Sequence, residues 1–174
     1  MSATGVMQPP IPIDDLDHLE SILAPICGAV ATVTQNSTYW HRIPVRLRPK
    51  TVTSFAVFNG ATVAGNFAVG VWASFDGGVT ITRLGGSAST AQAGPNAKQT
   101  GSLAAPITVP ANVPLWLSFS SDSATATYLG RTGWNLTLNT SNRSRNKAAA
   151  YNETADQTIG SIGTMPNIIW VEIS

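Results

Sequence analysis

Two histidines and one cysteine are the residues of this chain best suited to acid–base or nucleophilic chemistry. A Ser-His-Asp triad needs one histidine beside an activated serine, and no Gly-x-Ser-x-Gly turn is present to expose such a serine. His41 falls on the apolar side of an alternating pattern and is interpreted as a buried structural histidine. Cys27, in an apolar segment, is interpreted as a small buried side chain. We therefore predict no catalytic residue and no enzyme activity.

Paired carboxylates are the other route to catalysis, because glycoside cleavage requires two of them. Asp76 lies in an Asp-Gly-Gly turn, where aspartate commonly forms the turn itself, and Asp122 follows a strand pattern in the same way. The remaining candidates outside the N-terminal region are Glu153, Asp156 and Glu172. No spacing among them indicates a pair, so a glycan hydrolase is the least favoured function.

Metal and cofactor sites are not predicted. The run from Asp14 to Asp17 lacks the central glycine and the bidentate glutamate of a calcium loop. A single cysteine excludes a cysteine-based zinc site, and no glycine-rich phosphate loop is present.

The charge pattern favours protein partners over nucleic acid. Four cations, Arg42, Arg46, Arg48 and Lys50, are predicted to share in part the solvent face of one strand, but the net charge is only +1. Nucleic-acid binding requires a much stronger basic surface. Residues 14–20 carry four acidic groups, so this segment of one copy is electrostatically complementary to the basic strand of another.

Composition predicts the fold class. Charged residues make up only 11% of the chain, and β-branched residues greatly outnumber lysine and glutamate. This imbalance favours sheet over helix. No apolar stretch is long enough to span a membrane. Because the chain has no pair of cysteines and no secretory leader pattern, we expect it to fold in a reducing cytoplasm.

Residues 1–27 are predicted to form an N-terminal arm that docks on a partner. Three prolines impose an extended entry, an aspartate can cap a helix, and leucines follow at helical spacing. A helix this short is not stable alone, so it must pack on something. The predicted docking residues, with the complementary cations, are Ile11, Ile13, Asp14, Asp15, Leu16, Asp17, Leu19, Leu23, Arg42, Arg46 and Arg48.

Residues 28–174 are predicted to form a single β-sandwich. Alternating patterns run through residues 39–48, 66–75, 115–120 and 134–138, and shorter candidates lie at 52–58, 79–84, 125–129 and 168–173. Turn signals at Asn59-Gly60, Asp76-Gly77-Gly78 and Gly85-Gly86 separate several of them. Regularly spaced short strands are typical of a sandwich, and a jelly roll is the expected architecture. Two polar stretches, 85–101 and 139–166, are predicted to be long loops.

Three tryptophans fall opposite the apolar face of their strands, namely Trp40, Trp72 and Trp116. Exposed aromatic rings on a sheet can fill a subunit interface or stack on a sugar. We favour the interface, because a surface with so few charges is typical of a protein that neighbours cover.

The order of motifs over residues 38–128 resembles β-sandwich modules in minor structural proteins of tailed bacteriophages. The resemblance rests on three stretches: Val63-Ala-Gly-Asn-Phe-Ala-Val-Gly-Val-Trp72, a small-residue crossover ending Ala-Gln-Ala-Gly94, and Pro114-Leu-Trp-Leu-Ser-Phe119. It carries no catalytic motif.

The resemblance implies a virion component, either a minor tail protein or a head appendage such as a head fibre, assembled as a homo-oligomer. A trimer is the expected state, with other virion proteins as further partners. An alternative is a receptor-binding module at the tip of such an appendage, which recognises a host-surface glycan during attachment. Neither function requires a cofactor, nucleic acid or membrane insertion.

Overall fold

The computed structural model describes residues 19–20, 29–131, 144–147, 151–158, 163–164 and 168–174. Within these ranges the regular structure is entirely β, with no helix, which confirms the predicted all-β class. The strands are β1 (Leu19–Glu20), β2 (Ala29–Thr32), β3 (Ser37–Ile43), β4 (Lys50–Phe58), β5 (Asn66–Ala73), β6 (Thr80–Gly86), β7 (Thr90–Ala91), β8 (Lys98–Val109), β9 (Leu115–Ser121), β10 (Thr127–Arg131), β11 (Ser144–Lys147), β12 (Gln157–Thr158), β13 (Gly163–Thr164), β14 (Ile168–Ile169) and β15 (Val171–Ile173).

Antiparallel pairing organises these strands into three sheets. One has the order β1-β15-β4-β8, and a small one has the order β14-β10-β2. The largest has the order β12-β6-β5-β9-β3-β11-β13, with β7 also paired to β5. The β4-β8 pair and the β5-β9-β3 group supply the two layers of an antiparallel sandwich, as predicted.

The main core lies between these layers. Phe55 of β4 meets Phe67 of β5 edge to face at a ring separation of 5.8 Å. Phe119 of β9 meets Tyr128 of β10 in the same manner at 4.6 Å. Edge-to-face pairs at these separations add to the stabilisation from burial alone.

The central strands β5 and β9 are buried on both faces, although the alternating pattern of residues 66–75 is typical of a strand buried on one face only. Each residue of β9 is buried, and in β5 only Asn66 retains partial exposure. Strand β8 keeps a mostly exposed face, and β4 alternates between buried and exposed positions only in its first half, since Phe55, Ala56 and Val57 are all buried. The large sheet therefore supports a second apolar cluster on the side away from the main core.

Strand β3 ends at Ile43, and the alternating pattern that continues to Arg48 does not remain a strand. Pro44 follows at once, and proline has no N–H to donate to a sheet ladder. Val45 and Leu47, predicted to share the apolar face with Ile43, are consequently exposed in the β3–β4 loop.

Leu19 and Glu20 form a strand where the leucine spacing predicts a helix. They pair with Ile173 and Glu172 at the edge of β15. An open sheet edge offers backbone hydrogen bonds to an extended segment, while a helix of two turns has little stability of its own. The other predicted arm residues, including Leu16 and Leu23, lie outside the described residues, as do residues 134–138.

Gly85 and Gly86 belong to β6 and do not form the predicted turn. Gly86 pairs with Gly70, and the register shifts by one residue beside Trp72. A Cβ at Gly86 would collide with the Val69 carbonyl oxygen, so glycine permits the close approach of these two strands. The predicted loop 85–101 is therefore shorter, because its last residues open β8.

Gly101 provides a test of the main core. A Cβ added there would lie 2.5 Å from Cζ of Phe55, a ring that is buried against Phe67. We predict that Gly101→Ala lowers the free energy of unfolding by about 1–3 kcal/mol in urea titrations, because the buried ring has to shift. Ser102→Ala, on the exposed side of the same strand, is the control and should change it by less than about 0.5 kcal/mol. Equal stability of the two variants would contradict this packing.

Candidate functional site

The three tryptophans lie together on the large sheet, on the side opposite the main core. Trp72 is paired with Trp116 across β5 and β9, and Trp40 lies on β3, the other neighbour of β9. They form a second cluster with Ile81, separate from the main core. Alternation therefore predicted the correct face for each ring.

The prediction that these rings are exposed is wrong. Trp40 and Trp72 have no exposed surface, and Trp116 has 1%. A ring buried within one chain can neither contact a second subunit nor stack on a sugar from outside. Because the large sheet is covered on both faces, residues that face away from one core enter another.

Polar contacts fix the positions of these rings. Trp72 donates its indole N–H to Oγ of Ser118 at 2.8 Å, and Trp40 meets Trp72 edge to face at 5.6 Å. The guanidinium carbon of Arg42 lies 5.8 Å from the ring centre of Trp116, within the range of a cation–π contact.

Arg83 extends over the same face. A Cβ atom at Gly70 or at Gly86 would come close to nitrogen atoms of the Arg83 guanidinium. The absence of a side chain at both glycines therefore leaves room for this group. Its Nη2 donates to Oδ1 of Asn152 at 2.8 Å. Burial lowers the pKa of Arg83, and the nearby Glu153 carboxylate opposes that shift. We interpret Arg83 as a structural link between β6 and the segment 151–158.

The carboxylates are engaged in local structural contacts. Asp122 accepts hydrogen bonds from the backbone N–H and the side-chain amide of Asn66, at 2.6 and 2.7 Å. Asp156 accepts from the Thr82 hydroxyl at 3.0 Å, and Glu172 pairs with Lys98 at 3.0 Å. Over the described ranges, no group of three or more potential metal-ligating side chains comes together.

The described part of the chain also contains no helix long and apolar enough to cross a membrane.

One end of the sandwich exposes apolar side chains, and we call it the apolar loop end. It consists of residues 44–49, 74–79 and 110–114, which connect strands whose ends are aligned through Ile43, Leu115 and Ala73. Ser74 N donates to the Pro114 carbonyl at 3.0 Å, and Asn112 N donates to the Arg46 carbonyl at 2.8 Å. The three loops therefore form one continuous surface.

The large hydrophobic side chains exposed among the described residues are all at this end. Phe75 is 65% exposed, Leu47 62%, Val79 60% and Val45 41%. Isolated exposed hydrophobic residues are common in proteins, but clustering at one site is typical of an interaction surface.

The tip that carries Phe75 and Val79 is held by its own hydrogen bonds. Oδ1 of Asp76 accepts from the Ser74 hydroxyl and from the N–H groups of Val79 and Thr80, at 2.7–3.0 Å. These hydrogen bonds, chiefly the one from the Thr80 N–H, hold the pKa of Asp76 well below its usual range. The carboxylate is thus occupied within the turn, and the two apolar side chains flank it.

Cations flank the apolar side chains. Arg42 and Arg48 are exposed and Lys50 is half-buried, which agrees with their predicted solvent-facing positions. Arg46 is only 8% exposed, so its predicted place on the solvent face is wrong. The chain leaves the strand geometry at Pro44, and from there alternation no longer determines which side chains face solvent.

The opposite end of the sandwich is closed by buried amides, and we call it the amide end. Asn59 Nδ2 donates to the Ala93 carbonyl at 2.6 Å and to Gln99 Oε1 at 2.9 Å. Gln92 Nε2 donates to Asn59 Oδ1 at 3.1 Å and to the Thr127 carbonyl at 3.0 Å. These bonds hold the loop between β7 and β8 against the sandwich, so that end has its polar groups satisfied internally.

Sequence reasoning missed the apolar loop end. Phe75 and Val79 were assigned to strands, although they flank an Asp-Gly-Gly turn that could have indicated exposure. Nothing in the spacing of Asn59, Gln92 and Gln99 indicated that these amides meet. The predicted docking residues Ile11 to Asp17 and Leu23 lie outside the described residues.

Comparison of the sequence with protein-family models finds no match, and comparison with curated proteins finds none either.

His41 gives this sheet a measurable pH dependence. It is completely buried, and burial lowers its pKa from 6.5 to about 3. The unfolded chain therefore binds more protons than the folded chain between these values, and stability falls as the pH decreases through that window. We predict a slope of up to about 1.4 kcal/mol per pH unit in the free energy of unfolding below pH 6.5.

The control for this prediction is His41→Gln, which cannot titrate. Its free energy of unfolding, measured by urea titration from pH 7 to pH 4, should lack this part of the slope. Identical slopes for both proteins would show that His41 has an ordinary pKa in the folded state.

Proposed function

We propose that this chain is a non-enzymatic structural protein that assembles with copies of itself. The observation that carries the proposal is the apolar loop end, where Val45, Leu47, Phe75 and Val79 are exposed on two loops that hydrogen bonds join through residues 110–114. A surface of this kind is stabilised when a partner removes it from water.

The setting of this assembly is the virion of a tailed bacteriophage, as a minor tail or head-appendage component. This part of the proposal rests on the sequence resemblance over residues 38–128. The small number of charges and the antiparallel sandwich support a protein that is covered by neighbours. Closed symmetry is common for identical chains, and the sequence resemblance implies that the closed form is a homotrimer.

Energetics favour an interface that includes more than the four apolar side chains. Full burial of one exposed valine, leucine or phenylalanine contributes about 1.5–3 kcal/mol; because only 41–65% of each of these four is exposed, together they contribute about 3–7 kcal/mol. Association itself costs about 4–15 kcal/mol in lost translational and rotational freedom. The apolar loop end thus comes close to the cost of association, and stable assembly requires a further contact.

Self-association is the first test. We predict that the full chain forms oligomers at micromolar concentration in light scattering, and that the double variant Phe75→Ser and Val79→Ser shifts them toward monomer by about tenfold or more in concentration. Both side chains are exposed, so circular dichroism and the melting temperature should remain close to those of the parent protein.

The matched control replaces exposed apolar residues at the amide end, with Ala61→Ser and Ala124→Ser, and should leave the oligomer unchanged. A parent chain that is monomeric at all concentrations would overturn the proposed assembly. So would an oligomer that tolerates the Phe75 and Val79 substitutions. The virion setting has a separate test, because a cryo-EM map of the particle should contain this sandwich in a tail or head appendage.

A further inference from the structure

We propose that the outer edge of β8, at residues 98–102, pairs with the same edge of a second copy, so that two sheets join across a two-fold axis. This inference rests on the proposed function, because it names the further contact that self-assembly requires. The tryptophan face is a weaker candidate, since its rings are buried within the chain.

Strand β8 is the last strand of its sheet. It pairs with β4 on one side, and no described strand pairs with it on the other. The side chains of Lys98, Thr100 and Ser102 are exposed along this part of the strand. An unpaired edge presents N–H and C=O groups to which another strand can bind.

The register shows which backbone groups of β8 face outward. Asn59 N donates to the Ala97 carbonyl at 3.0 Å, in the same register as the rest of the β4–β8 pair. Because hydrogen-bonded and non-hydrogen-bonded pairs alternate in an antiparallel ladder, residues 97, 99 and 101 direct their N–H and C=O groups toward β4. Lys98, Thr100 and Ser102 therefore direct theirs away from β4, along the open edge.

Hydrogen bonds on the other side of β4 give the same orientation. Ser54 N donates to the Ser174 carbonyl at 2.8 Å, and Ser174 N donates to the Ser54 carbonyl at 3.0 Å. The backbone groups of Ser54 thus point away from β8. Ser54 is the partner of Ser102, so Ser102 belongs to a non-hydrogen-bonded pair and its own N–H and C=O groups face outward.

This edge lacks the outward charge that commonly protects an exposed strand. Lys98 is the only charged residue of β8, and its Nζ pairs with the Glu172 carboxylate at 3.0 Å. The same Nζ lies 5.3 Å from the ring centre of Trp170. Glu172 belongs to β15, on the far side of β4, so the lysine extends across the sheet and away from the open edge. A lysine held in this way does not repel an incoming strand.

The neighbouring chain limits the pairing to residues 98–102. The next four residues, 103–106, lie opposite a single residue of β4, Thr53. This bulge leaves the regular ladder, and Pro106 within it has no N–H to donate. The loop that precedes β8 is held by the buried amides of the amide end. Each copy therefore offers the same short segment, bounded on both sides.

The segment is complementary to itself. An antiparallel partner centred on Thr100 places Thr100 opposite its counterpart and Lys98 opposite Ser102. All three outward-facing residues then form hydrogen-bonded pairs, in which both N–H···O bonds are exchanged. No like charges face each other, and paired threonines are favourable neighbours on a sheet. A second copy is the occupant because it matches this edge in length, register and charge.

The β8 contact is separate from the apolar loop end. Lys98 pairs with Phe58 near the amide end, whereas Val109 at the other end of β8 pairs with Lys50. The two contacts can therefore act in one assembly. The apolar loop end removes apolar surface from water, and the directional hydrogen bonds of β8 fix the mutual orientation of the subunits.

Proline at position 100 tests the backbone hydrogen bonds. Because the Thr100 N–H points away from β4, Thr100→Pro removes an outward donor and leaves the β4–β8 ladder complete. We expect this variant to need about tenfold or more higher concentration to assemble in light scattering, with an unchanged circular dichroism spectrum. The matched control Thr100→Val keeps the N–H and should assemble like the parent protein. Assembly of the folded proline variant at the parent concentration would overturn the inference.

Disulfide trapping tests the register without a proline. In a chain that carries Cys27→Ser, Thr100→Cys places one thiol opposite its counterpart, where the Cα atoms of a hydrogen-bonded pair lie about 5.5 Å apart. Mild oxidation should then give a covalent dimer on a non-reducing gel. The control is Thr108→Cys, which is exposed on the same strand outside the paired segment and should stay uncrosslinked. Equal cross-linking at both positions, or none at position 100, would contradict the proposed pairing.

The outcomes separate this inference from the proposed function. If Phe75→Ser with Val79→Ser dissociates the parent oligomer and Thr100→Pro does not, only the β8 contact is wrong. The reverse result supports the β8 contact and overturns the apolar loop end as the surface that carries assembly. A parent chain that is monomeric at all concentrations overturns both.

Discussion

Burial of the large sheet on both faces is the constraint on which the rest of this structure depends. Strands β5 and β9 have almost no residue in contact with solvent, so nearly every side chain must fit one of two apolar clusters. Small residues such as Gly70 and Ser118 are needed wherever a tryptophan or an arginine lies across the strand. The polar atoms that enter this environment are costly unless they are hydrogen-bonded, and the bond between Trp72 and Ser118 meets that requirement.

The loops at the two ends of the sandwich differ in how their side chains are accommodated. At the amide end, Asn59, Gln92 and Gln99 supply the hydrogen bonds that a loop would otherwise seek from water. At the apolar loop end, Asp76 fixes a turn, but the side chains on either side of it remain in solvent. A protein with only 11% charged residues has few other means of keeping such an end apart from neighbours, and this asymmetry is why assembly is the favoured function.

The tryptophans show how far an alternating pattern can be interpreted. Period-two spacing placed Trp40, Trp72 and Trp116 on one face of their strands, and the pairing of β3, β9 and β5 agrees. Spacing within a strand contains no information on what packs against that face, so exposure could not be predicted. The same limit applies to Arg46, whose burial follows from the path of the chain after Pro44.

Local preferences of the sequence determined the all-β class, most strand positions and the Asp-Gly-Gly turn, because these depend on neighbouring residues and on backbone sterics. The strand conformation of Leu19 and Glu20 was decided by tertiary structure. The edge of β15 offers them backbone hydrogen bonds, whereas an isolated helix of two turns has little stability. Tertiary structure also decided that Gly85 and Gly86 continue a strand, because they face Val69 and Gly70 across a register shift. The apolar loop end likewise exists only in three dimensions: its exposed residues come from loops about thirty residues apart, and strand pairing alone brings them to one surface.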